Sequence, residues 1–270
     1  MRYRGMLIDL DGTLVRGSRA IPGADRFLQA LREGGIPFLI LTNNATRTSE
    51  AVAEALARIG FPVTAGDVLT SAEVLALWLG RRRPMARVLV VGEAGLVVPL
   101  RARGFSVIEA GTEAAKKALA EGEIDVVAVG LDRTLTYEKL VQALSALARG
   151  AAFYATNCDI RLPSEDGLLP GNGSIVELLR LVSARRPRVV GKPRAPMLRA
   201  ALDVLGLGKE DVALVGDNML TDIAAGHRFG IDAYLVETGV PPSERDLLRF
   251  PPKGRFRDLD ALTAHLWSGA

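Results

Sequence analysis

The chain has 270 residues, and its 34 Lys and Arg residues against 31 Asp and Glu residues give a formal net charge of +3. Its hydrophobic fraction of 49% excludes a disordered chain and allows one large domain or two modest ones. One cysteine, Cys158, and two histidines exclude an internal disulfide, a cysteine-based zinc site and a histidine-rich metal site.

Short apolar segments alternate with segments of helical periodicity along the chain. Because strands that alternate with helices form βαβ units, the pattern predicts a parallel sheet. The strands are continuously apolar, as in a sheet that is covered on both faces. We therefore expect an α/β fold with a doubly wound parallel sheet. The predicted strands are 6–8, 37–41, 88–91, 126–129 and 212–215, and the predicted helices are 25–33, 49–59 and 220–229.

Two charged, proline-containing breaks divide the chain, at 80–84 and at 185–187. Proline cannot continue a helix, so each break is typical of a hinge between domains. The sequence therefore predicts a domain inserted at 81–187 into a discontinuous core of 1–80 and 188–270. One long sheet with two surface loops is the alternative.

Membrane and nucleic-acid partners are both disfavoured by the sequence. No apolar stretch approaches the roughly 20 residues that span a bilayer, and no signal-peptide core is present. The longest basic run is only Arg81-Arg82-Arg83, and no stretch combines basic and aromatic residues for base stacking. We expect a cytoplasmic protein with neither kind of partner.

Two carboxylates, Asp9 and Asp11, directly follow the first predicted strand. Alternation along an extended chain places both on the same side, and Gly12 then permits a tight turn. Two such close carboxylates need a cation or a shared proton. An ordinary turn or a fragment of a calcium loop would have the same pattern.

A second pair of carboxylates, Asp217 and Asp222, follows the strand at 212–215. The carboxyl ends of parallel strands present ligands at one edge of a sheet, so Asp217 can share a Mg²⁺ ion with Asp9. Asp222 has a simpler explanation as a favourable charge in the first turn of a helix.

Two other strand ends carry groups that suit a phosphate. Thr42, Asn43 and Asn44 offer a hydroxyl and successive backbone N–H groups, which we expect at the start of a helix. Lys192 follows a strand and a glycine, where its ammonium would contact phosphate oxygens. Taken singly, Thr42 could be a helix cap and Lys192 a surface charge, but four such strand ends in one chain favour a phosphate site.

Together these segments resemble the four ordered motifs of the haloacid dehalogenase (HAD) phosphatase superfamily over nearly the whole chain. The long segment between Asn44 and Lys192 implies a cap domain of the larger, C2 type. Further segments narrow the resemblance to the NagD/4-nitrophenylphosphatase-like branch. The four motifs are DLDGTL at 9–14, LTNN at 41–44, GKP at 191–193 and GDNMLTD at 216–222, and the branch segments lie at 21–24, 130–137, 155–159 and 170–174.

The resemblance implies a role for each matching residue. Asp9 corresponds to the nucleophile that forms an aspartyl-phosphate, and Asp11 to the general acid and base. In the family, Mg²⁺ is held by the positions of Asp9, Asp217 and the backbone carbonyl of Asp11. The other matches are the phosphate-binding positions Thr42, Asn43, Asn44 and Lys192 and the supporting positions Asn218 and Asp222.

The predicted cap is expected to choose the substrate, since the core motifs recognise only the phosphate. Asn157 and Asp159 are the cap residues that we expect to face the site, although both also suit a polar turn. Caps of this type often pair in the family, which is compatible with a homodimer through the cap.

The leading hypothesis is a Mg²⁺-dependent phosphomonoester hydrolase that acts on small phosphorylated metabolites. Candidate substrates are nucleoside monophosphates, sugar phosphates, phosphoglycolate and 4-nitrophenyl phosphate. Dehalogenases of the same fold lack an acid at the position of Asp11, so Asp11 favours phosphoryl transfer. The alternative is a phosphate- or nucleotide-binding module without catalysis on the same fold.

Overall fold

The structure is a computed structural model and describes residues 2–164 and 167–268. Its strands are β1 (Gly5–Asp9), β2 (Val15–Arg16), β3 (Arg19–Ala20), β4 (Phe38–Thr42), β5 (Val68–Thr70), β6 (Arg87–Val91), β7 (Ser106–Glu109), β8 (Val126–Val129), β9 (Ala152–Ala155), β10 (Arg161–Ser164), β11 (Gly167–Pro170), β12 (Arg188–Val189), β13 (Val212–Gly216), β14 (Asp232–Val236) and β15 (Gly254–Phe256). Its α-helices are α1 (Ala24–Glu33), α2 (Ser49–Arg58), α3 (Ser71–Arg82), α4 (Ala94–Ala102), α5 (Glu113–Glu121), α6 (Tyr137–Ala148), α7 (Asn172–Ser183), α8 (Ala195–Leu205), α9 (Ala224–Phe229), α10 (Glu244–Arg249) and α11 (Leu259–Trp267).

The first of two compact units comprises Met1–Thr42, Ser49–Leu69 and Lys192–Ala270. Its six-stranded sheet has the order β15-β14-β13-β1-β4-β5. Alternate side chains of β1, β4 and β13 pack in one core with α1, α2 and α11, and the intervening side chains are buried as well. Burial on both faces explains why these strands are continuously apolar, and it confirms the doubly wound α/β prediction.

The register of this sheet brings three strand ends to the same edge. Ile8 of β1 pairs in parallel with Ile40 of β4 and with Val215 of β13, and Asp9 pairs with Leu41. The carboxyl ends of β1, β4 and β13 therefore lie side by side, although these strands are far apart in the sequence.

The second unit comprises Asn43–Thr48 and Thr70–Gly191. Its parallel sheet has the order β12-β9-β8-β6-β7, and alternate side chains of β6, β8 and β9 pack in one core with α5, α6 and α7. An antiparallel hairpin of β10 and β11 belongs to the same unit.

The boundaries of these units differ from the predicted domain limits in three places. Helix α3 continues through Gly80 to Arg82 and packs against α4 in the second unit, so the basic segment begins inside a helix. Residues 188–191 also belong to the second unit, as does the short segment Asn43–Thr48. The last segment has no hydrophobic periodicity that would have assigned it to either domain.

The predicted helix 220–229 has a wide first turn. Met219–Ile223 forms a π-helical turn, and the α-helix starts only at Ala224. The Asn218 side chain accepts from the Leu220 N–H at 2.9 Å, and the Asn218 carbonyl accepts from both Asp222 and Ile223. This wide turn places Asp222 back against the end of β13, since a Cβ built on Gly216 would lie 2.3 Å from the Asp222 carboxyl carbon.

Among the described residues, none of the helices combines the length and the apolar character that crossing a membrane requires.

Candidate active site

Three buried carboxylates meet at the carboxyl edge of the first sheet. Ligand oxygens of Asp9, Asp217 and Asp222 all lie within 4.8 Å of one another. The fully buried Lys192 ammonium donates to Asp9 Oδ1, to Asp222 Oδ1 at 2.7 Å and to the Leu41 carbonyl at 3.1 Å. One ammonium thus faces three acidic groups, which leaves the cluster short of positive charge.

The charge balance of this cluster shifts the pKa values of its members. Burial, together with the Asp222 carboxylate, raises the pKa of Asp9 well above its ordinary value, although the Lys192 ammonium opposes the rise. The same two causes raise the pKa of Asp217 to about 6. Burial alone would lower the pKa of Lys192, but the carboxylates of Asp222 and Asp9 outweigh burial and raise it.

Each carboxylate has partners that fix its orientation. Thr13 Oγ1 donates to Asp9 Oδ2 at 3.2 Å, so both oxygens of Asp9 are hydrogen-bonded. Asp222 Oδ2 accepts from the Asn218 N–H and from Thr221 Oγ1, both at 3.2 Å. Both oxygens of Asp222 are therefore hydrogen-bonded, Oδ1 to Lys192 and Oδ2 to its own turn.

Asp217 lies between two glycine-containing turns. The Val240 N–H donates to Asp217 Oδ2 at 2.8 Å. A Cβ built on Gly239 would lie 1.8 Å from this oxygen, and one built on Gly12 would lie 2.4 Å from it. Gly12 also has a φ of +91°, in the left-handed region that favours glycine. Only glycine fits at either position without a shift.

Sequence reasoning did not single out Thr13, Val240 or the Leu41 carbonyl. Thr13 is part of the first motif, so its place near Asp9 was predictable, but its hydrogen bond to Asp9 was not. Val240 follows β14, which adjoins β13 in the sheet. Only the strand order could have connected Val240 with Asp217.

Asp11 and Thr42 occupy opposite environments in the first unit. Asp11 is exposed and forms a backbone bridge with Val15 in the turn after β1. Thr42 is the buried last residue of β4. An exposed carboxyl group can exchange protons with a substrate or with water, as a general acid and base must.

The other predicted site residues come together inside the second unit. Asp159 Oδ2 accepts from Asn43 Nδ2 at 2.9 Å and from Asn157 Nδ2 at 2.7 Å. Asn172 Nδ2 donates to the Asn157 carbonyl at 2.8 Å and to its side-chain oxygen at 3.1 Å. Asn172 was not among the predicted site residues, although it lies in the segment 170–174, which carries part of the family resemblance.

The two glycines beside Asn172, Gly171 and Gly173, allow the backbone to approach the turn at 157–159 closely. A Cβ on Gly171 would lie 2.1 Å from the Asp159 carbonyl oxygen, and a Cβ on Gly173 would lie 2.4 Å from the Cys158 carbonyl oxygen. Gly-Asn-Gly therefore lets α7 begin in direct contact with the turn at 157–159. The Asn172 side chain then holds that turn by hydrogen bonds.

Asn44 has a local structural role in addition to its predicted one. It is exposed, and its Oδ1 accepts from the N–H of Thr46 at 2.9 Å and from the hydroxyl at 2.8 Å. The prediction of a helix start at this point was wrong, because α2 begins only at Ser49. The side chain of Asn44 instead closes a turn.

Comparisons with known proteins identify the family. Residues 6–106 match the model of the haloacid dehalogenase-like hydrolases, and residues 189–262 match a second HAD-hydrolase-like model. An acid sugar phosphatase of Staphylococcus epidermidis is 38% identical over 265 residues, which are 98% of each chain. The chain belongs to the haloacid dehalogenase-like hydrolase family.

Solved structures of this HAD family have the same fold. A p-nitrophenyl phosphatase from Archaeoglobus fulgidus is 33% identical, with a TM-score of 0.88 over 98% of this chain and all of the other. A glycerol phosphate phosphatase from Mycobacterium tuberculosis, in complex with magnesium, is 34% identical, with a TM-score of 0.86 over 97% of this chain and 76% of the other. The chain is a NagD-like HAD phosphatase, as its motifs indicated.

The carboxylate cluster of this HAD phosphatase has the donor set of a magnesium site. Ligand oxygens of Asp9 and Asp217 lie within 4.8 Å of each other, and two buried carboxylates this close favour a shared proton or a cation. Both offer the hard oxygen ligands that Mg²⁺ prefers, and Mg²⁺ is held in most enzymes by one or two carboxylates with water and phosphate oxygens. Mg²⁺ would supply the positive charge that Lys192 alone does not.

The raised pKa of Asp217 predicts a pH-dependent stability. An unfolded Asp titrates near pH 4. Between about pH 4 and pH 6 the folded chain therefore keeps the proton of Asp217, which the unfolded chain has lost. The contribution of Asp217 to the stability of the metal-free protein therefore falls as pH rises through this range. We expect Mg²⁺ to raise the melting temperature more at pH 7 than at pH 5, because its ligands must be deprotonated.

Differential scanning fluorimetry of the wild type and of Asp217→Asn checks this prediction. The neutral amide removes the titration, so metal-free Asp217→Asn should gain stability relative to the wild type as pH rises from 4 to 7. Its response to Mg²⁺ should also be weaker. A constant difference between the two proteins across this range would contradict the assignment.

Proposed function

We propose that this HAD phosphatase hydrolyses small phosphorylated polyols and sugars with Mg²⁺, and that Asp9 is its nucleophile. The observation that supports this proposal most directly is the buried Asp9–Lys192 pair beside Asp217 and Asp222 at one sheet edge. A carboxylate held on both oxygens, next to further acidic groups that favour a cation, is arranged for attack on phosphorus.

Each residue of the proposed site has a defined part in the reaction. An oxygen of Asp9 attacks phosphorus, and the ester oxygen departs with a proton from Asp11, leaving an aspartyl-phosphate and a free alcohol. Asp11 then takes a proton from water as the water oxygen attacks phosphorus, which releases inorganic phosphate and restores Asp9. Bound Mg²⁺ would offset the repulsion between carboxylate and phosphate.

Lys192 and Thr42 are the proposed phosphate contacts of the first unit. The Lys192 ammonium is already oriented by Asp9 and Asp222, so little rotational freedom is lost when it binds a phosphate oxygen. The phosphate contacts of Asn43 and Asn44 and the substrate contacts of Asn157 and Asp159 stay predictions. The cytoplasmic location, the homodimer and the absence of nucleic-acid and membrane partners are also still predictions.

The second unit supports a polyol or sugar rather than a nucleoside as the leaving group. It contains five aromatic residues, of which Phe105, Phe153 and Tyr154 are buried in its core. Trp78 is covered by the guanidinium of Arg82, 3.5 Å from the ring centre. Among the described residues of this unit, Tyr137, 82% exposed, is the one aromatic residue with a largely exposed ring for a nucleobase. The names of the sugar and glycerol phosphate phosphatases among the relatives agree with this choice.

Replacing either proposed catalytic aspartate should abolish turnover without unfolding the protein. Asp9→Asn removes the nucleophile and Asp11→Asn the proton donor, so we expect phosphate release from 4-nitrophenyl phosphate to fall by at least about 100-fold in each. Asp25→Asn, an exposed carboxylate in the first turn of α1, is the matched control and should keep full activity. Full activity of a folded, metal-loaded Asp9→Asn protein would refute the proposal.

The substrate class can be tested with a panel of phosphomonoesters. We expect kcat/KM for sugar phosphates and glycerol phosphate to exceed that for nucleoside monophosphates, because a base finds few ring faces to stack on. Phosphate release is measured with and without Mg²⁺. A preference for nucleotides would contradict the polyol assignment but would leave Asp9 chemistry intact. Binding of phosphate without any turnover would instead favour a binding module.

Asn172 should affect catalysis through the turn that it holds. Asn172→Leu removes the donor to the buried Asn157 carbonyl and one of the two donors to its side-chain oxygen, so we expect a lower kcat/KM for natural substrates as well as a stability loss of about 1–3 kcal/mol. Gln142→Leu is the matched control, since Gln142 is another buried amide of the second unit and accepts from the Gly111 N–H at 2.7 Å. Urea unfolding and initial rates of both variants check this. An equal loss of kcat/KM in both would point to destabilisation alone.

A further inference from the structure

The turn after β14 connects two parts of the carboxylate site through Thr238 and Val240. The Thr238 hydroxyl donates to the Gly12 carbonyl at 2.6 Å. Two residues later, the Val240 N–H donates to Asp217 Oδ2 at 2.8 Å. The turn therefore bonds both to the segment that carries Asp11 and to the carboxylate of Asp217.

The hairpin after the first motif also contacts this turn. Arg16, in β2, donates from Nη2 to the Thr238 carbonyl at 2.5 Å. Thr238 is thus held through its carbonyl and holds Gly12 through its hydroxyl. The backbone of Gly12 and of Gly239 in turn contacts the Asp217 carboxylate so closely that neither residue could carry a Cβ.

We propose that Thr238 is a positioning residue for the magnesium site, which it serves by keeping the Asp11–Gly12 turn against Asp217. This inference rests on the proposed function, because it takes Asp9, Asp217 and the Asp11 carbonyl as the ligands. Thr238 acts through the backbone of Gly12, to which its hydroxyl donates. The pairing of β1 with β13 ends at Ile8 and Val215, and the Thr238 hydroxyl with the Val240 N–H extends the connection to the Asp11–Gly12 turn and to Asp217.

The contribution of the hydroxyl can be isolated by nearly isosteric substitution. Thr238→Val keeps the shape of the side chain and removes only the donor to Gly12. Loss of a group that orients metal ligands typically weakens metal affinity or activity by about 10- to 100-fold. We therefore expect the Mg²⁺ dissociation constant of Thr238→Val to rise by at least about 10-fold, with kcat reduced and the substrate KM at saturating Mg²⁺ little changed.

Isothermal titration of Mg²⁺ into the metal-free protein, together with kinetics at several Mg²⁺ concentrations, measures both effects. Thr238→Ser keeps the hydroxyl and should restore wild-type Mg²⁺ affinity. Thr263→Val is the matched control, since Thr263 Oγ1 donates to the Leu259 carbonyl at 2.7 Å in α11, and its loss should leave Mg²⁺ affinity unchanged.

Two results would overturn the inference. One is a Thr238→Val protein whose Mg²⁺ affinity and kcat stay within about twofold of the wild type. The other is equal weakening in Thr238→Ser, which would exclude the hydroxyl as the cause. If Thr238→Val fails to fold, Arg16→Met serves instead, because Arg16 is exposed. A lower Mg²⁺ affinity in that variant supports the inference, and an unchanged one refutes it.

Failure of the proposed function would be visible separately. Calorimetry reports Mg²⁺ binding whether or not the wild type releases phosphate. A wild type that binds Mg²⁺ without hydrolysing any phosphomonoester would refute the proposed reaction, while the comparison of Thr238→Val with Thr238→Ser would still decide the role of Thr238.

Discussion

The first unit is organised around one electrostatic constraint: three buried acidic groups share a single ammonium. Two like charges about 4 Å apart repel each other by about 4 kcal/mol at an effective dielectric constant near 20, so Lys192 cannot satisfy Asp9, Asp217 and Asp222 together. Something positive must complete the site. Burial and the Asp222 carboxylate raise the pKa values of Asp9 and Asp217, so the site favours an added proton or cation. A bound divalent cation would add positive charge to the cluster, and a bound phosphate would add negative charge that the cation offsets.

The two units contribute different physical chemistry. The first holds charged groups at strand ends that its register brings together. The second holds a chain of amides and one carboxylate, from Asn172 through Asn157 to Asp159 and Asn43. In that chain every interaction is a short-range hydrogen bond, so it fixes geometry rather than charge. The charged groups of the first unit suit the reaction centre that we propose, and the amides of the second suit the leaving-group contacts that we propose.

Much of this arrangement can be predicted from the sequence alone, and the features that cannot be predicted have identifiable physical causes. Asp9 and Asp217 were predictable because each follows an apolar strand of one sheet, and parallel strands end at a common edge. Lys192 follows β12, a strand of the other sheet, so the edge rule does not account for its contact with Asp9. The contact of Val240 with Asp217 depends on which strand adjoins β13, which periodicity does not determine. The bond between Asn43 and Asp159 joins residues 116 positions apart, and no local pattern encodes it. The wide turn at Met219–Ile223 was missed because π-helical and α-helical turns have similar composition.

The short segment Asn43–Thr48 has a practical consequence for protein engineering. It belongs to the second unit, where Ser71 Oγ donates to the Asn43 carbonyl at 2.8 Å and the Gly95 N–H donates to the Thr46 carbonyl at 3.3 Å. The polypeptide therefore passes between the units four times, and 70–191 is not a self-contained module. In a chimaera in which only 70–191 comes from a relative, the native segment 43–48 would have to pack against a foreign surface. Both pieces have to be transplanted together for the graft to keep its own contacts.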